Sequence, residues 1–286
     1  GSLNADRVNF LLQTDFDSGM FDIFAASQNN TYSTSVFLKG EGSNVGKKIS
    51  IRVKRLSGGT FTSVDTKYTL TDKWVRFELD PITMPSGSTN GIISFTSSEA
   101  TNCLIYGCQV EQGSYPTSYI PSQGSAVTRV ADTASGAGNS EVFSDSSGVL
   151  FANIAANAND GTSRRITLSD GTSTNRIIFQ YLAASNTVAV ELINSSGAQC
   201  SLTYVLTDVK DNNLFAFKYK QNDFALWVNG FEVDTDPNGS TYLASTLNKL
   251  NFSGFSSLFP FYGKTKQIQY YNTALTDSEL EQLTSW

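Results

Sequence analysis

The sequence predicts an all-β chain folded as two β-sandwiches. Three observations carry the prediction. Apolar and polar residues alternate over successive short runs, clusters of Gly, Ser, Asn and Pro punctuate those runs, and a single C-terminal stretch has helical spacing.

The alternating runs come first in chain order. Tyr32–Leu38, Ile49–Val53, Val75–Leu79 and Ile92–Phe95 each place apolar residues on one side and polar residues on the other, the pattern of a strand with one buried face. Gly40-Glu41-Gly42, Ser57-Gly58-Gly59 and Pro85-Ser86-Gly87 separate them. Composition then shifts between about residues 113 and 140. Pro116 and Pro121 interrupt strand pairing, and the stretches 122–125 and 135–138 are rich in Gly and Ser. This places a domain boundary near residue 124, giving domains 3–123 and 124–286. Tyr115, Tyr119 and Ile120 are expected to pack back on the first domain. At the C-terminus Thr276 can cap a short helix, with Glu279 three residues on as in a capping box and Leu280 and Leu283 on one face.

One hairpin can be paired residue by residue. A two-residue turn at Gln221-Asn222 sets Lys220 opposite Asp223, Tyr219 opposite Phe224, Phe217 opposite Leu226 and Phe215 opposite Val228. Those aromatic and aliphatic residues form one core face. Lys218 with Ala225, and Ala216 with Trp227, form the other. A second turn at Asn229-Gly230 then sets Trp227 opposite Glu232 and Ala225 opposite Asp234. Trp227, Lys218, Glu232 and Asp234 are thus expected on one outer face. A flat indole flanked by charged groups suits a sugar: the ring covers the apolar face of a pyranose, and the charged groups hydrogen-bond its hydroxyls. The alternative is that Trp227 packs under a loop or against the first domain.

Composition narrows the function classes. The 286 residues are 40% hydrophobic and 12% aromatic, too apolar for a disordered chain. No run approaches the ~18 apolar residues of a membrane helix, so no membrane insertion is expected. A net charge of −6 argues against nucleic acid as a partner. The sequence holds no histidine, which removes His-based catalytic triads and every His-ligated metal site. The three cysteines, Cys103, Cys108 and Cys200, lack the spacing of a disulfide framework and are expected as small core residues. No cofactor is expected. Calcium is the one metal the composition permits, at the oxygen-rich loops 208–213 and 159–161, but Asp-Gly and Asn-Asp runs are first of all turn formers and no ligand is assigned.

The segment from Gln109-Val-Glu-Gln-Gly-Ser-Tyr-Pro-Thr-Ser-Tyr-Ile-Pro121 through Gly124-Ser-Ala-Val-Thr-Arg-Val-Ala-Asp132 resembles one found in bacteriophage tail-fibre and related virion proteins. There it closes a jelly roll similar to carbohydrate-binding modules and opens a second sandwich. Phe215–Tyr219, Phe224–Gly230 and the stretch 261–283 resemble the laminin-G-like, concanavalin A-like jelly roll with its closing strand and short helix. The resemblance implies two jelly-roll β-sandwich domains in tandem. It also implies that the first domain is N-terminally truncated, because such proteins carry a further strand before the equivalent of Leu3–Arg7. It implies a non-catalytic, lectin-like fragment of a phage tail fibre, made in the bacterial host cytoplasm and acting extracellularly on the virion. The partner would be a cell-surface glycan or polysaccharide, and a homotrimer in the full-length protein would raise avidity. Two alternatives stand beside this: a structural spacer or oligomerisation module that binds no sugar, and an accessory or catalytic module of a polysaccharide-degrading enzyme.

The enzyme alternative rests on Glu232, Asp234 and Asp236, since glycosidases of the concanavalin-type sandwich carry alternating carboxylates on one strand. In an ordinary strand, i to i+4 spans ~13 Å, whereas a retaining pair needs about 5–5.5 Å, so no catalytic residue is assigned. In the first domain, Trp74 is expected to seal a core edge and Tyr106 to sit in a covered central strand. Phe61 and Tyr68 could line a groove, and Glu111 is expected to satisfy nearby backbone amides.

Overall fold

The computed structural model describes residues 5–11, 20–55, 63–122, 125–128 and 134–286. The chain divides into two compact units, Gly1–Val130 and Ala131–Trp286. The expected boundary at residues 123–124 lies outside the described residues, as does Phe61.

The first unit runs β1 (Asp6–Phe10), β2 (Met20–Ala25), β3 (Thr31–Gly40), β4 (Lys48–Arg55), β5 (Ser63–Thr69), β6 (Val75–Thr83), β7 (Asn90–Thr96) and β8 (Thr101–Gln112). Two four-stranded sheets result, in the orders β1-β8-β3-β6 and β2-β7-β4-β5, with all pairings antiparallel. The four alternating runs lie within β3, β4, β6 and β7. Their apolar sides, including Val36, Leu38, Ile49, Ile51, Val53, Leu79 and Phe95, form the core between the sheets. At the edge, the Tyr68 ring lies 4.5 Å from that of Phe77 and its hydroxyl donates to the Glu78 carbonyl, so Tyr68 ties β5 to β6.

Strand β8 carries an irregularity that the alternation does not reveal. Ser35 pairs with Gln109 and Phe37 with Tyr106, so Gly107 and Cys108 stand opposite the single residue Val36. Gly107 takes φ 58°, where an L side chain is strained, and a Cβ there would lie 3.0 Å from the Tyr119 ring. Cys103 and Cys200 are buried as expected. Cys108, expected in the core, lies within the bulge and is exposed.

The second unit runs β9 (Ser147–Ala156), β10 (Arg164–Ser169), β11 (Arg176–Tyr181), β12 (Thr187–Asn194), β13 (Gly197–Val205), β14 (Asn213–Lys220), β15 (Asp223–Val228), β16 (Phe231–Asp236), β17 (Lys249–Asn251), β18 (Gly263–Tyr271) and α1 (Asp277–Leu283). Two five-stranded antiparallel sheets, β13-β12-β11-β10-β17 and β16-β15-β14-β9-β18, enclose a core rich in aromatic residues. The architecture is thus the all-β sandwich arrangement expected, with one short C-terminal helix. The predicted β14–β15 register matches at every pair from Lys220–Asp223 to Phe215–Val228. Asn222 and Asn229 take positive φ in the two turns. The capping box is formed: the Thr276 side chain accepts from the Glu279 amide, and the Glu279 carboxylate accepts from the Thr276 amide.

Candidate functional site

The outer-face site expected at Trp227 does not assemble. The register leaves the indole on the outer side of its sheet, as expected, but the ring is only 7% exposed. It belongs to a second apolar cluster with Val149, Phe151, Leu214, Ala216, Ala225 and Leu280 of α1, against which Tyr271, Leu275 and Leu283 also pack. The physical reason is visible in composition. The outer face of β9, β14 and β15 is itself apolar, and the Leu280–Leu283 side of α1 buries it. The surface a sugar would stack on is therefore occupied by the helix.

The three companions of Trp227 form no open site with it: Lys218 is buried in ion pairs, Glu232 stays opposite Trp227, and Asp234 is displaced. Lys218 is 7% exposed, and its ammonium lies 2.7 Å from Asp223 and 3.5 Å from Asp277. Burial alone would lower its pKa, but the hydrogen bond and charge of Asp223, followed by Asp277, outweigh this and raise it. Strand β16 bulges after Glu232: Trp227 still faces Glu232, but Asp234 now faces Leu226 and Asp236 faces Phe224. Asp234 accepts from the Thr203 amide at 2.8 Å. The expected face of Trp227, Lys218, Glu232 and Asp234 is corrected on these grounds. The same bulge takes Glu232 off the face that Asp234 and Asp236 share, so the three carboxylates do not form an alternating row.

The loops weighed for calcium are turns whose side chains serve the backbone. Asp208 accepts from the Lys210 amide and Asp160 from the Thr162 amide, while the Asn159 side-chain amide donates to Ser185 and Asn186. Among the described residues, no group of three His, Cys, Asp or Glu converges on a point where a metal could sit.

A different face carries the features expected of a sugar site. On the outer side of β6, β3 and β8, Arg76 pairs with Phe37, which pairs with Tyr106. Trp74, two residues before Arg76, sits at the end of this row and is 41% exposed. Its ring lies 6.3 Å from that of Tyr106, which lies 5.2 Å from Tyr119, and both tyrosines are half-buried. Burial and the neighbouring Tyr106 phenol push the Tyr119 phenol up, so it remains a neutral donor at ordinary pH.

The segment after β8 fixes this arrangement. Glu111 accepts from the Thr117 amide at 2.8 Å, as expected of it, and Gln109 accepts from the Ile120 amide at 2.9 Å. Arg76 donates to Ser35 Oγ at 2.7 Å and to the Thr117 carbonyl, and its guanidinium lies 6.0 Å from the Phe37 ring. Tyr119 is thereby laid over Gly107, where only a glycine leaves room. The result is an aromatic surface of Trp74, Tyr106 and Tyr119 bordered by Arg76 and Glu78, which pair at 3.3 Å. Trp74 does not seal the core edge as expected, because it precedes β6 and shares the outward side with Arg76.

A shallow depression of about 470 Å³ lies elsewhere in this unit, lined by Ala26, Ser27, Gln28, Gly87, Ser88 and Thr89. It has no aromatic wall, and the Gln28 side-chain carbonyl already accepts from the Gly87 amide.

No protein-family model and no curated protein matches the chain. Several solved structures are similar to it. Domain 4 of AbnA, a GH43 extracellular arabinanase from Geobacillus stearothermophilus solved with arabinotriose, is 14% identical; the match covers 52% of this chain and 70% of that one, with a TM-score of 0.42. Domains LG4-5 of the mouse laminin alpha1 chain are 14% identical over 96% of this chain and 92% of that one, with a TM-score of 0.35. Sheep galectin-11 is 10% identical over 50% of this chain and 99% of its own, with a TM-score of 0.32.

Proposed function

We propose that the chain is a non-catalytic glycan-binding fragment of a phage virion protein of the tail-fibre type, and that it adheres to a cell-surface polysaccharide outside the host. The observation that carries the binding role is the exposed indole of Trp74 beside Tyr106 and Tyr119. An aromatic face bordered by a guanidinium and a carboxylate provides both parts of sugar recognition, stacking on C–H faces and directed hydrogen bonds. The virion assignment rests on the resemblance of residues 109–121 and 124–132. The non-catalytic assignment is supported by the bulge that separates Glu232 from Asp234 and Asp236.

Affinity electrophoresis through gels containing surface polysaccharides of candidate bacterial hosts tests the binding role. Wild type is retarded, and Trp74→Ala loses about tenfold in affinity, the equivalent of roughly 1.4 kcal/mol. Retardation unchanged by Trp74→Ala would remove the platform. No retardation in any gel would favour a spacer role instead.

A further inference from the structure

The outer face of β10, β11 and β12 in the second unit holds buried polar groups that the fold itself leaves without partners. Register places Arg165 beside Gln180, Thr167 beside Ile178, Ile178 in turn beside Glu191, and Ser169 beside Arg176, all on the side away from the core. Gln180 is 2% exposed and Thr167 is 1% exposed. The Gln180 amide nitrogen donates to Glu191 at 3.1 Å, but Gln180 Oε1 and Thr167 Oγ1 have no partner. Neither do Arg165 Nε and Arg176 Nε. A buried polar group without a partner is costly, and its persistence calls for a reason.

The two arginines are held in place around this floor. The Arg165 guanidinium lies 4.1 Å from the Phe259 ring centroid, and that of Arg176 lies 5.7 Å from Phe255. Stacking on a ring fixes the guanidinium plane; Arg176 Nη1 also donates to the Ser173 carbonyl, which leaves its other edge donors for a ligand. The loop that supplies both rings is strained. Ser256, Ser257 and Phe259 take φ of 53°, 59° and 54°, the left-handed region that non-glycine residues enter at a cost. Glu191 is the one carboxylate in this row, set against two guanidinium groups, so the face carries an excess positive charge on a chain whose net charge is −6.

We propose that this face is a second glycan site, independent of the Trp74 platform, and that it takes a carboxylate-bearing sugar. Arg165 and Arg176 stand on either side of Thr167 and grip the sugar carboxylate, the partner a planar guanidinium matches with two parallel hydrogen bonds. Gln180 and Thr167 are enclosed in the unliganded chain, and binding uncovers their unpartnered oxygens to the sugar hydroxyls.

The test titrates the intact chain with three polycarboxylate glycans, namely polygalacturonate, alginate and polysialic acid, alongside their carboxyl-reduced forms and dextran sulfate. Saturable binding to at least one polycarboxylate is expected, with loss of binding on carboxyl reduction. Arg165→Ala weakens it at least tenfold, while Lys266→Ala, an exposed cation on β18 outside this face, leaves it unchanged. Gln180→Leu gives the sharper readout: it weakens binding yet raises the melting temperature, because an unpaired buried oxygen is removed. A merely structural Gln180 would instead lower the melting temperature when replaced. No binding to any of the three overturns the inference, as does equal binding to dextran sulfate or to a reduced polymer. Either result leaves the Trp74 reading standing, since that reading is decided by its own variant on host polysaccharide.

Discussion

Replacing Trp227 by alanine separates stability from binding. The indole is almost fully enclosed between β9, β14, β15 and α1. A buried tryptophan covers on the order of 150–250 Å², and at about 25 cal/mol per Å² its removal forfeits several kcal/mol. Measured Trp→Ala changes in cores cost about 3–5 kcal/mol. One term opposes this: Trp227 Nε1 is buried without a partner, and deleting it relieves roughly 1–3 kcal/mol. A net loss of about 3 kcal/mol is therefore expected. For a domain of roughly 150 residues, each kcal/mol lowers the melting temperature by about 2–4 °C, so the second unit should melt roughly 6–12 °C lower. Differential scanning calorimetry reads this directly, and glycan titration well below the new transition should give wild-type affinity. An unshifted transition together with abolished glycan binding would refute the burial argument and restore Trp227 as a binding residue.

Two further outcomes follow from the same packing and from the buried phenols. Thr276→Ala removes the capping box of α1 and should cost about 1 kcal/mol; acrylamide should then quench a larger share of the tryptophan emission, and unchanged quenching would mean that the helix does not depend on its cap. Burial raises the Tyr181, Tyr219, Tyr242 and Tyr270 phenols above their ordinary values, and Tyr219 donates to the Ser144 carbonyl in its neutral form. A raised folded pKa gives stability that is complete below the unfolded value near ~10 and is lost as pH rises above it. Lys218 acts in the same direction. Urea midpoints should therefore hold steady up to about pH 9 and fall by pH 11, with a smaller fall in Tyr219→Phe; a flat profile would contradict the burial of these phenols.

Much of the fold was legible because it rests on short-range signals. Period-two runs located β3, β4, β6 and β7. The turn residues Asn222 and Asn229-Gly230 set the β14–β15 register, and Thr276 with Glu279 announced the helix. The candidate site was less legible because it depends on what covers a face, not on which face a residue takes. Trp227 was placed on the correct side of its strand, yet the helix that covers it lies some fifty residues further on in sequence. Leu280 and Leu283 were recognised as one apolar stripe, and the apolar outer face at Val149, Phe151 and Leu214 was the surface that stripe needed. Asp234 was misplaced by one bulged residue, which inverts everything beyond it. Trp74 was visible in the same alternation as Arg76 and Glu78, and its outward direction followed from that pattern; its neighbour Tyr106 comes from a strand paired across β3, and Tyr119 from the segment that folds back after β8, neither of which local alternation reveals.

The most direct test uses the indole N–H signals of the protein's three tryptophans in a heteronuclear NMR titration with a host surface polysaccharide or its oligosaccharides. Trp74 should shift as the glycan saturates, and Trp227, sealed beneath α1, should stay where it is. Movement of Trp227 with Trp74 unchanged would contradict the account.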